Sequence, residues 1–341
     1  MTPLTFIQTE DPSPYAQQIF DFWDAYLPGT PHARLDWMSR GNPAGPATWL
    51  FALKGESGEL VGTISIMPKS YFVDSRSLRA GIVGDFMVHK NNRVFGPTIS
   101  LLKFVSEHYQ DLGFDFLYTV PNAESAKVAV HVGFNPVKVL CSYLKPIRFT
   151  PYLQRYMPHA VAKSLSPLAK IGSMFMSWGM YVSTAGLFEE VSEFDGAFDE
   201  LFARMRGSVA APMADHSSEY LRWRYLDNPA SAFHVVTFRT SEDAGLSGYM
   251  VFRITHDRLE IFDGLGLTAR DKRSLLKKII HIAARQKCRA LEFTVSESGE
   301  WSRELEVCGF LNAGVHIQVL CLGQYNNFGE DWDFLPGERN I

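Results

Sequence analysis

The chain has 341 residues, of which 46% are apolar and 21% charged, so its composition is that of an ordinary globular protein. These proportions exclude a fibrous or disordered chain, and the length is sufficient for two domains. The formal net charge is −4, from 33 basic and 37 acidic residues, and gives no general attraction to nucleic acid. Four widely spaced cysteines without a Cys-x-x-Cys pair indicate a reducing compartment and predict neither a disulfide framework nor a metal site.

The start of the chain predicts no targeting segment. The first ten residues contain no basic cluster and no long apolar run, so we do not expect a signal peptide. The longest uncharged stretch, residues 171–188, is interrupted by serine, threonine and glycine and is a poor transmembrane helix. We therefore expect a cytoplasmic protein.

Hydrophobic periodicity predicts the same order of elements twice. The first half predicts a helix over 15–26, strands over 48–53, 60–67 and 78–88, a helix over 96–112, a strand over 115–120, a helix over 124–132 and a strand over 137–144. The second half predicts a helix over 194–205, strands over 233–239, 247–254 and 258–267, a helix over 271–286, a strand over 290–295, a helix over 300–307 and a strand over 313–322. Antiparallel strands followed by alternating strands and helices predict, in each half, a mixed sheet flanked by helices.

Matching residues indicate that the two halves are copies. Trp37 precedes Asn42-Pro43 at the same spacing at which Trp223 precedes Asn228-Pro229. Further matches follow in order: Gly62 with Gly248, Asp85 with Asp263, and Gly133-Phe134 with Gly309-Phe310. An ordered series at a nearly constant offset is typical of an internal duplication. We predict an α/β fold with mixed α+β sheets in two similar domains, 1–145 and 191–341, joined by a linker over 146–190. We expect Trp37, Trp49, Trp223 and Tyr225 in the core.

The linker region is basic. Residues 125–188 contain no aspartate or glutamate but seven lysines and arginines. One interpretation is a solvated linker packed between the domains. The other is an interfacial segment, in which residues 145–183 make weak contact with an anionic membrane surface or bind an acidic carrier.

The segment from Ile82 to Thr98 carries the clearest chemical signal. A strand is predicted to end at Val88, a polar loop with Lys90 and Arg93 follows, and a helix begins at Gly96. Unpaired N–H groups and the helix dipole make such a junction a site for a phosphate, and glycine lets the backbone approach it closely. An ordinary strand–turn–helix connection is the alternative.

These residues resemble motifs of the GNAT acyltransferase superfamily. The run Arg93-Val94-Phe95-Gly96-Pro97-Thr98 is similar to its phosphate-binding signature Arg/Gln-x-x-Gly-x-Gly/Ala and departs from it at Thr98. The run from Asp85 to His89 resembles the strand that pairs with the pantetheine arm, and Asn122 through Gly133-Phe134 resembles the Asn-x-x-Ala…Gly-Phe element. The resemblance spans about residues 15–145 and recurs weakly over 193–325. It implies that acetyl-CoA or another acyl-CoA is bound by Met87, Val88, Arg93, Val94, Phe95, Gly96, Pro97, Thr98 and Asn122.

The resemblance also implies direct transfer of an acyl group, here acetyl, to an amine that must lose a proton. Asp85 is the first candidate for this proton transfer, and a buried structural carboxylate is the alternative. Tyr118 and His89 are secondary candidates, because Ala129 occupies the position where the superfamily often has a tyrosine.

The second copy lacks the glycine signature. At the equivalent turn, Asp271 is expected to cap the helix and to repel a phosphate. We therefore predict that the first copy binds the cofactor and that the second shapes the acceptor cleft; both copies being purely structural is the alternative.

Three functions remain open. The first is acyl transfer to a small amine such as an amino sugar, in the cytoplasm or at the inner membrane face. The second is aminoacyl transfer from tRNA, against which the absence of a basic surface outside the linker argues. The third is a non-catalytic module that binds acyl-CoA or tethers to a membrane.

Overall fold

The computed structural model of the chain describes residues 4–55, 58–73, 76–92, 96–148, 164, 186–208, 212–230, 232–323, 332 and 334–339. The signature residues Arg93, Val94 and Phe95 and most of the linker lie outside these ranges. The membrane contact of residues 145–183 therefore stays a prediction. Within the described ranges, no helix combines the length and the hydropathy needed to cross a membrane.

The first half follows the predicted order of elements. Its elements are β1 (Leu4–Thr9), α1 (Ala16–Tyr26), α2 (Arg34–Arg40), β2 (Thr48–Lys54), β3 (Glu59–Val73), β4 (Arg76–Val88), α3 (Pro97–His108), β5 (Phe116–Thr119), α4 (Ala123–His131) and β6 (Asn135–Pro146). Short 3₁₀ turns lie at Ser13–Tyr15 and Lys90–Asn92. Two elements, β1 and α2, were not expected from the sequence. Trp37, which was expected in the core, is buried and lies on α2.

The second half has the same order of elements, with one additional strand, β8. Its elements are β7 (Leu187–Val191), α5 (Gly196–Ser208), β8 (Met213–Ala214), α6 (Ser218–Leu221), β9 (His234–Arg239), β10 (Gly248–Thr255), β11 (Arg258–Gly266), α7 (Ala269–Arg285), β12 (Ala290–Ser296), α8 (Glu300–Val307) and β13 (Leu311–Leu322). A π-helical turn, Arg222–Leu226, continues α6, and a 3₁₀ turn, Pro336–Glu338, lies near the end of the chain.

Helix α7 forms for the reasons that its sequence suggests. Leu275, Leu276 and Ile279 are buried on one face, at the spacing of an amphipathic helix. At its start, the Thr268 side chain accepts a bond from the Asp271 N–H, and the Asp271 carboxylate accepts one from the Thr268 N–H, which makes a capping box. The expected capping role of Asp271 is therefore confirmed.

The strands of both halves form one mixed sheet, in the order β1-β2-β3-β4-β5-β13-β6-β12-β11-β10-β9-β7, with β8 paired to β3. The last strands are exchanged between the halves. Strand β13 lies between β5 and β6, and β6 pairs in turn with β12 of the second half. Backbone hydrogen bonds of these strand pairs thus join the two halves.

Helices cover both faces of the sheet. In the first half, α1 and α2 pack on one face around Trp23 and Trp37, and α3 and α4 pack on the other around Leu101 and Ala129. In the second half, α7 and α8 cover one face, while α5 and α6 cover the opposite face. The predicted architecture of mixed sheets flanked by helices is confirmed.

The two repeated tryptophans meet each other. The rings of Trp37 and Trp223 stack with centroids 4.6 Å apart. The Trp37 Nε1–H donates to the Trp223 carbonyl at 2.8 Å, and the Trp223 Nε1–H donates to the Trp37 carbonyl at 3.1 Å. Such reciprocal contacts are typical of a two-fold relation. The side chains of Asn42 and Asn228 also accept matching bonds, from the N–H groups two residues on, at 3.0 and 2.8 Å.

We expect the two tryptophans to be energetically coupled. Trp37→Phe and Trp223→Phe each remove a buried donor and leave a buried carbonyl unsatisfied, at a cost of about 1–3 kcal/mol. Because the two sites touch, the double variant should deviate from additivity by about 0.5–3 kcal/mol in the free energy of unfolding. Urea unfolding of the four proteins measures this coupling. The matched control combines Trp37→Phe with Trp301→Phe, which lies in another core cluster and should be additive. Equal coupling in both cycles would contradict a specific contact.

Candidate active site

A gap opens in the sheet between β4 and β5. The two strands pair in parallel only where Ala80–Ile82 face Phe116–Tyr118. The Thr119 hydroxyl donates to the Val83 carbonyl at 3.0 Å and closes the narrow end of the gap. Beyond this point β4 continues to Val88, and no described strand pairs with it on this edge. A cavity of about 800 Å³ occupies the gap.

The cavity is lined from both faces of the sheet. Its walls are the strand segments Val83–Met87 and Thr119–Asn122. Residues of α3 and α4 line it from one face, among them Ala129. The loop after α1 and Arg34 of α2 also line it, as do three residues of the second half, Ala230, Ile317 and Arg339. A ligand can therefore reach across the sheet between the two helix layers.

Asp85 shapes one wall of the cavity. Its backbone has φ 45°, a left-handed conformation that aspartate adopts more readily than most residues, and it lies where the β3–β4 register shifts. Its carboxylate accepts hydrogen bonds from the Arg34 guanidinium at 2.7 and 3.3 Å and from the Ser65 hydroxyl at 2.6 Å. The side chains of Asp85 and Arg34 are 1% and 6% exposed. The ion pair thus holds the bulge that bends β4 at the gap.

The structure separates the three predicted proton-transfer residues. Asp85 lines the cavity, whereas Tyr118 and His89 do not. The Tyr118 hydroxyl is buried and donates to the Glu338 carbonyl at 2.9 Å, and burial raises its pKa well above 10. The His89 N–H donates to the Val61 carbonyl at 2.8 Å, at the end of β4.

Among the predicted acyl-CoA contacts, Met87 and Asn122 line the cavity. The side-chain oxygen Oδ1 of Asn122 caps α4 by accepting from the N–H groups of Glu124 and Ser125 at 3.1 and 2.9 Å. The side-chain nitrogen Nδ2 of Asn122 is not used by the cap. Val88 is buried and adjoins Met87 on β4.

At the start of α3, Gly96 is the N-cap and makes no side-chain capping bond, and Pro97 is the first helical residue. The hydroxyl of Thr98 is shielded from solvent and has no hydrogen-bond partner among the described residues. Both features suit the binding of an anion at this helix end, because backbone N–H groups and the Thr98 hydroxyl can donate hydrogen bonds to it.

Residues 334–339, near the chain end, pack where the two halves meet. The buried polar and charged groups at this junction are called the seam. The Tyr71 hydroxyl donates to the Glu338 carboxylate at 2.7 Å, and Arg224 Nε donates to the Gly337 carbonyl at 3.0 Å. The Lys69 ammonium lies 4.7 Å from the centre of the Tyr220 ring. The sequence contains no local pattern that predicts this network, because its members are far apart in the chain.

The repeat counterpart of Asp85 has different partners. Asp263 is buried, accepts from the hydroxyls of Tyr225 and Tyr249 at 2.5 and 3.2 Å, and lies 3.3 Å from His216 Nδ1. Burial alone would raise the pKa of Asp263, but His216 and the Tyr225 hydroxyl lower it below its usual value. No arginine pairs with Asp263 in the described chain, so Asp85 and Asp263 differ in their partners.

One group of side chains could hold a metal ion. Cys141, Glu297 and His316 each place a ligand atom within 4.8 Å of the other two. Cys141 is buried, while Glu297 and His316 are exposed, and burial raises the pKa of the Cys141 thiol. The sequence spacing predicted no such group, since the three residues meet only through the exchange of β6 and β13.

The fold is shared with known acyltransferases, although no family model and no curated protein matches the sequence. A probable N-acyltransferase of unknown function from Enterococcus faecalis aligns with a TM-score of 0.67 at 11% identity, covering 94% of this chain and 72% of that one. A GCN5-related N-acetyltransferase from Anabaena variabilis aligns with a TM-score of 0.64 at 11% identity, covering 93% and 72%. The N-myristoyltransferase of Saccharomyces cerevisiae, with bound myristoyl-CoA, aligns with a TM-score of 0.61 at 11% identity, covering 94% and 83%. The chain has the GNAT fold, as its motifs predicted.

The buried tyrosines of the seam predict a loss of stability in alkali. Tyr71, Tyr118, Tyr225 and Tyr249 are fully buried, and burial raises the pKa of each well above 10. Their protons are held more tightly in the folded state, so stability is full below pH 10 and falls above it, by up to about 1.4 kcal/mol per pH unit for each tyrosine. Urea unfolding between pH 8 and 11 measures the slope, which should be smaller in Tyr118→Phe. Ionisation of all tyrosines near pH 10, with the native near-ultraviolet circular dichroism retained, would contradict this.

Proposed function

We propose that the chain is an acyl-CoA-dependent N-acyltransferase whose donor site is the cavity between β4 and β5. The observation that supports this most strongly is the separation of the two strands around a cavity that crosses the sheet. The similar solved structures are described as N-acetyltransferases and as an N-myristoyltransferase with bound myristoyl-CoA, which agrees with acyl transfer.

In this proposal the donor lies along the open edge of β4. The pantetheine arm hydrogen-bonds to the backbone at Met87 and Val88, as an added strand would. The pyrophosphate lies at the start of α3, where Arg93, Val94, Phe95, Gly96, Pro97 and Thr98 would contact it. The unpartnered Thr98 hydroxyl supplies a donor there. Asn122, with its amide nitrogen outside the helix cap, contacts the arm from β5.

The proposed reaction is a single displacement. The amine nitrogen attacks the thioester carbonyl, the C–N bond forms, the C–S bond breaks, and the proton lost by the amine ends on the coenzyme A thiolate. Most of the acceleration comes from holding amine and thioester together and from backbone N–H groups near Met87 and Val88 that polarise the carbonyl.

Asp85 is the proposed group for handling the proton, since it lies on the cavity wall. The ion pair with Arg34 and the hydrogen bond from the Ser65 hydroxyl fix the carboxylate on the cavity wall, where it would accept a hydrogen bond from the amine and orient it for attack. Tyr118 and His89 remain secondary proposals, because neither lines the cavity.

We further propose that residues 1–145 and 191–341 are copies of one unit joined by 146–190, and that the second copy has lost its donor site. The Asp271 carboxylate caps α7 at the position where the first copy would receive a phosphate. The second copy contributes Ala230 and Arg339 to the cavity instead, on the acceptor side. The acceptor is a small amine such as an amino sugar, the acyl group is acetyl, and the reaction takes place in the cytoplasm.

A carboxylate at the start of α3 should abolish donor binding. Gly96→Asp would block the pyrophosphate by bulk and by like charge, which should weaken coenzyme A by about 100-fold or more, the equivalent of a lost charge-assisted contact. Asp271→Gly, the matched change in the second copy, should leave both affinity and stoichiometry unaltered. Titration calorimetry with coenzyme A measures both variants. Unchanged affinity in Gly96→Asp, or altered stoichiometry in Asp271→Gly, would refute the site.

The same proteins distinguish an enzyme from a binding module. Thiol release from acetyl-CoA, measured with a panel of amines, should require a specific amine and should fall in Gly96→Asp in parallel with affinity. Binding of coenzyme A without amine-dependent thiol release would favour the non-catalytic module. Release that persists at the parent rate in Asp85→Asn would remove the proposed proton-handling role alone.

A further inference from the structure

Arg339 is brought to the cavity by the network in the seam. The preceding residue, Glu338, is tied through its carboxylate to Tyr71 and through its carbonyl to Tyr118. The Arg339 carbonyl accepts a bond from Arg224. Tyr71 and Tyr118 belong to the core cluster of the α1/α2 layer, so Arg339 approaches the gap from that layer and not from the α3/α4 layer. Hydrogen bonds to the carbonyls of Glu338 and Arg339 thus fix the backbone that carries this side chain.

Two of the three guanidinium nitrogens of Arg339 have no hydrogen-bond partner among the described residues. Its Nε and Nη2 atoms are shielded from solvent and make no hydrogen bond within the described parts of the chain. Burial lowers the pKa of Arg339, and the carboxylate that opposes this effect is Glu292. Glu292, however, makes its ion pair with Arg258, at 3.1 Å. A guanidinium removed from water without hydrogen bonds costs several kcal/mol, so such a group is expected to meet an external acceptor.

The ion pairs of the seam also indicate that Arg339 is left for an anionic ligand. Its described cations are Arg34, Lys69, Arg224 and Arg339, and its described carboxylates are Asp85, Asp263 and Glu338. Asp85 is paired with Arg34, and Glu338 and Asp263 interact with Lys69 and His216. Arg339, by contrast, forms no ion pair with a carboxylate of the described residues, and it lies beside the cavity.

We propose that Arg339 binds an anionic group of the amine acceptor, either a carboxylate or a phosphate. This rests on the proposed function and narrows its substrate class to amines that carry a negative charge. The planar guanidinium suits both oxyanions, because each can accept two parallel N–H bonds. The donor's own phosphates belong at the start of α3, in the other helix layer, so Arg339 is left for the acceptor.

Paired amines that differ in one charge test the proposal. Glucosamine is compared with glucosamine 6-phosphate, and glycinamide with glycine, by the kcat/KM of thiol release from acetyl-CoA. The parent should favour the charged member of at least one pair by about 10- to 100-fold, the effect of one charge-assisted contact. The pair that shows the preference identifies phosphate or carboxylate as the group bound. Arg339→Met should lose the preference, Arg339→Lys should keep part of it, and Arg40→Met, an exposed control, should keep it fully.

Two further measurements are independent of turnover. Arg339→Met should melt at or above the temperature of the parent, because it removes a buried cation without a partner; a clear drop would show that Arg339 is a structural residue and would overturn the proposal. Coenzyme A should bind Arg339→Met as tightly as the parent, and weaker binding would assign Arg339 to the donor phosphates instead. If the parent itself does not bind coenzyme A, the proposed function fails. If it binds and the paired amines react equally, only the acceptor proposal fails.

Discussion

The rest of the molecule depends on the pairing of β13 with β5 and β6. Strand β5 has only four residues, and its two neighbours hold it between β4 of its own half and β13 of the other. Because β5 stops at Thr119 while β4 continues to Val88, the sheet must open there. The same exchange brings Ile317 of β13 to the cavity wall. The halves therefore build the candidate site together, and neither can be removed without exposing a sheet edge.

A second consequence of the exchange is a polar seam in the middle of a large protein core. Polar groups there are costly unless each is bonded, and a satisfied network fixes one arrangement. Burial raises the pKa of Glu338, while Lys69 and the Tyr71 hydroxyl oppose the shift. These contacts hold the segment that carries Arg339, so a structural network determines which residue reaches the acceptor side of the cavity. The Trp37–Trp223 pair fixes α2 against the π-helical turn of the second half, and the Asp85–Arg34 pair fixes α2 against β4.

Much of the fold could be predicted because it is local. The amphipathic face of α7, the Asp271 cap and the strands around Asp85 are each encoded within one segment. The matching Trp…Asn-Pro spacing indicated that Trp37 and Trp223 are core residues, but not that they contact each other. Helix α2 was missed because its seven residues are too few to show periodicity. The strand exchange could not be predicted, since β6 and β13 have the same pattern whichever half they join. Arg34 was missed as the partner of Asp85 because 51 residues separate them, and Arg339 carries no local signal at all.

Hydrogen exchange with and without coenzyme A tests the central claim most directly, namely that the open edge of β4 is the donor site. Added coenzyme A should slow amide exchange in residues 83–88 and at the start of α3, residues 96–100, because the arm adds hydrogen bonds to one and the pyrophosphate to the other. Exchange in the corresponding segment of the second half, residues 261–272, should not change. Protection confined to that second segment, or no protection at saturating coenzyme A, would contradict the account.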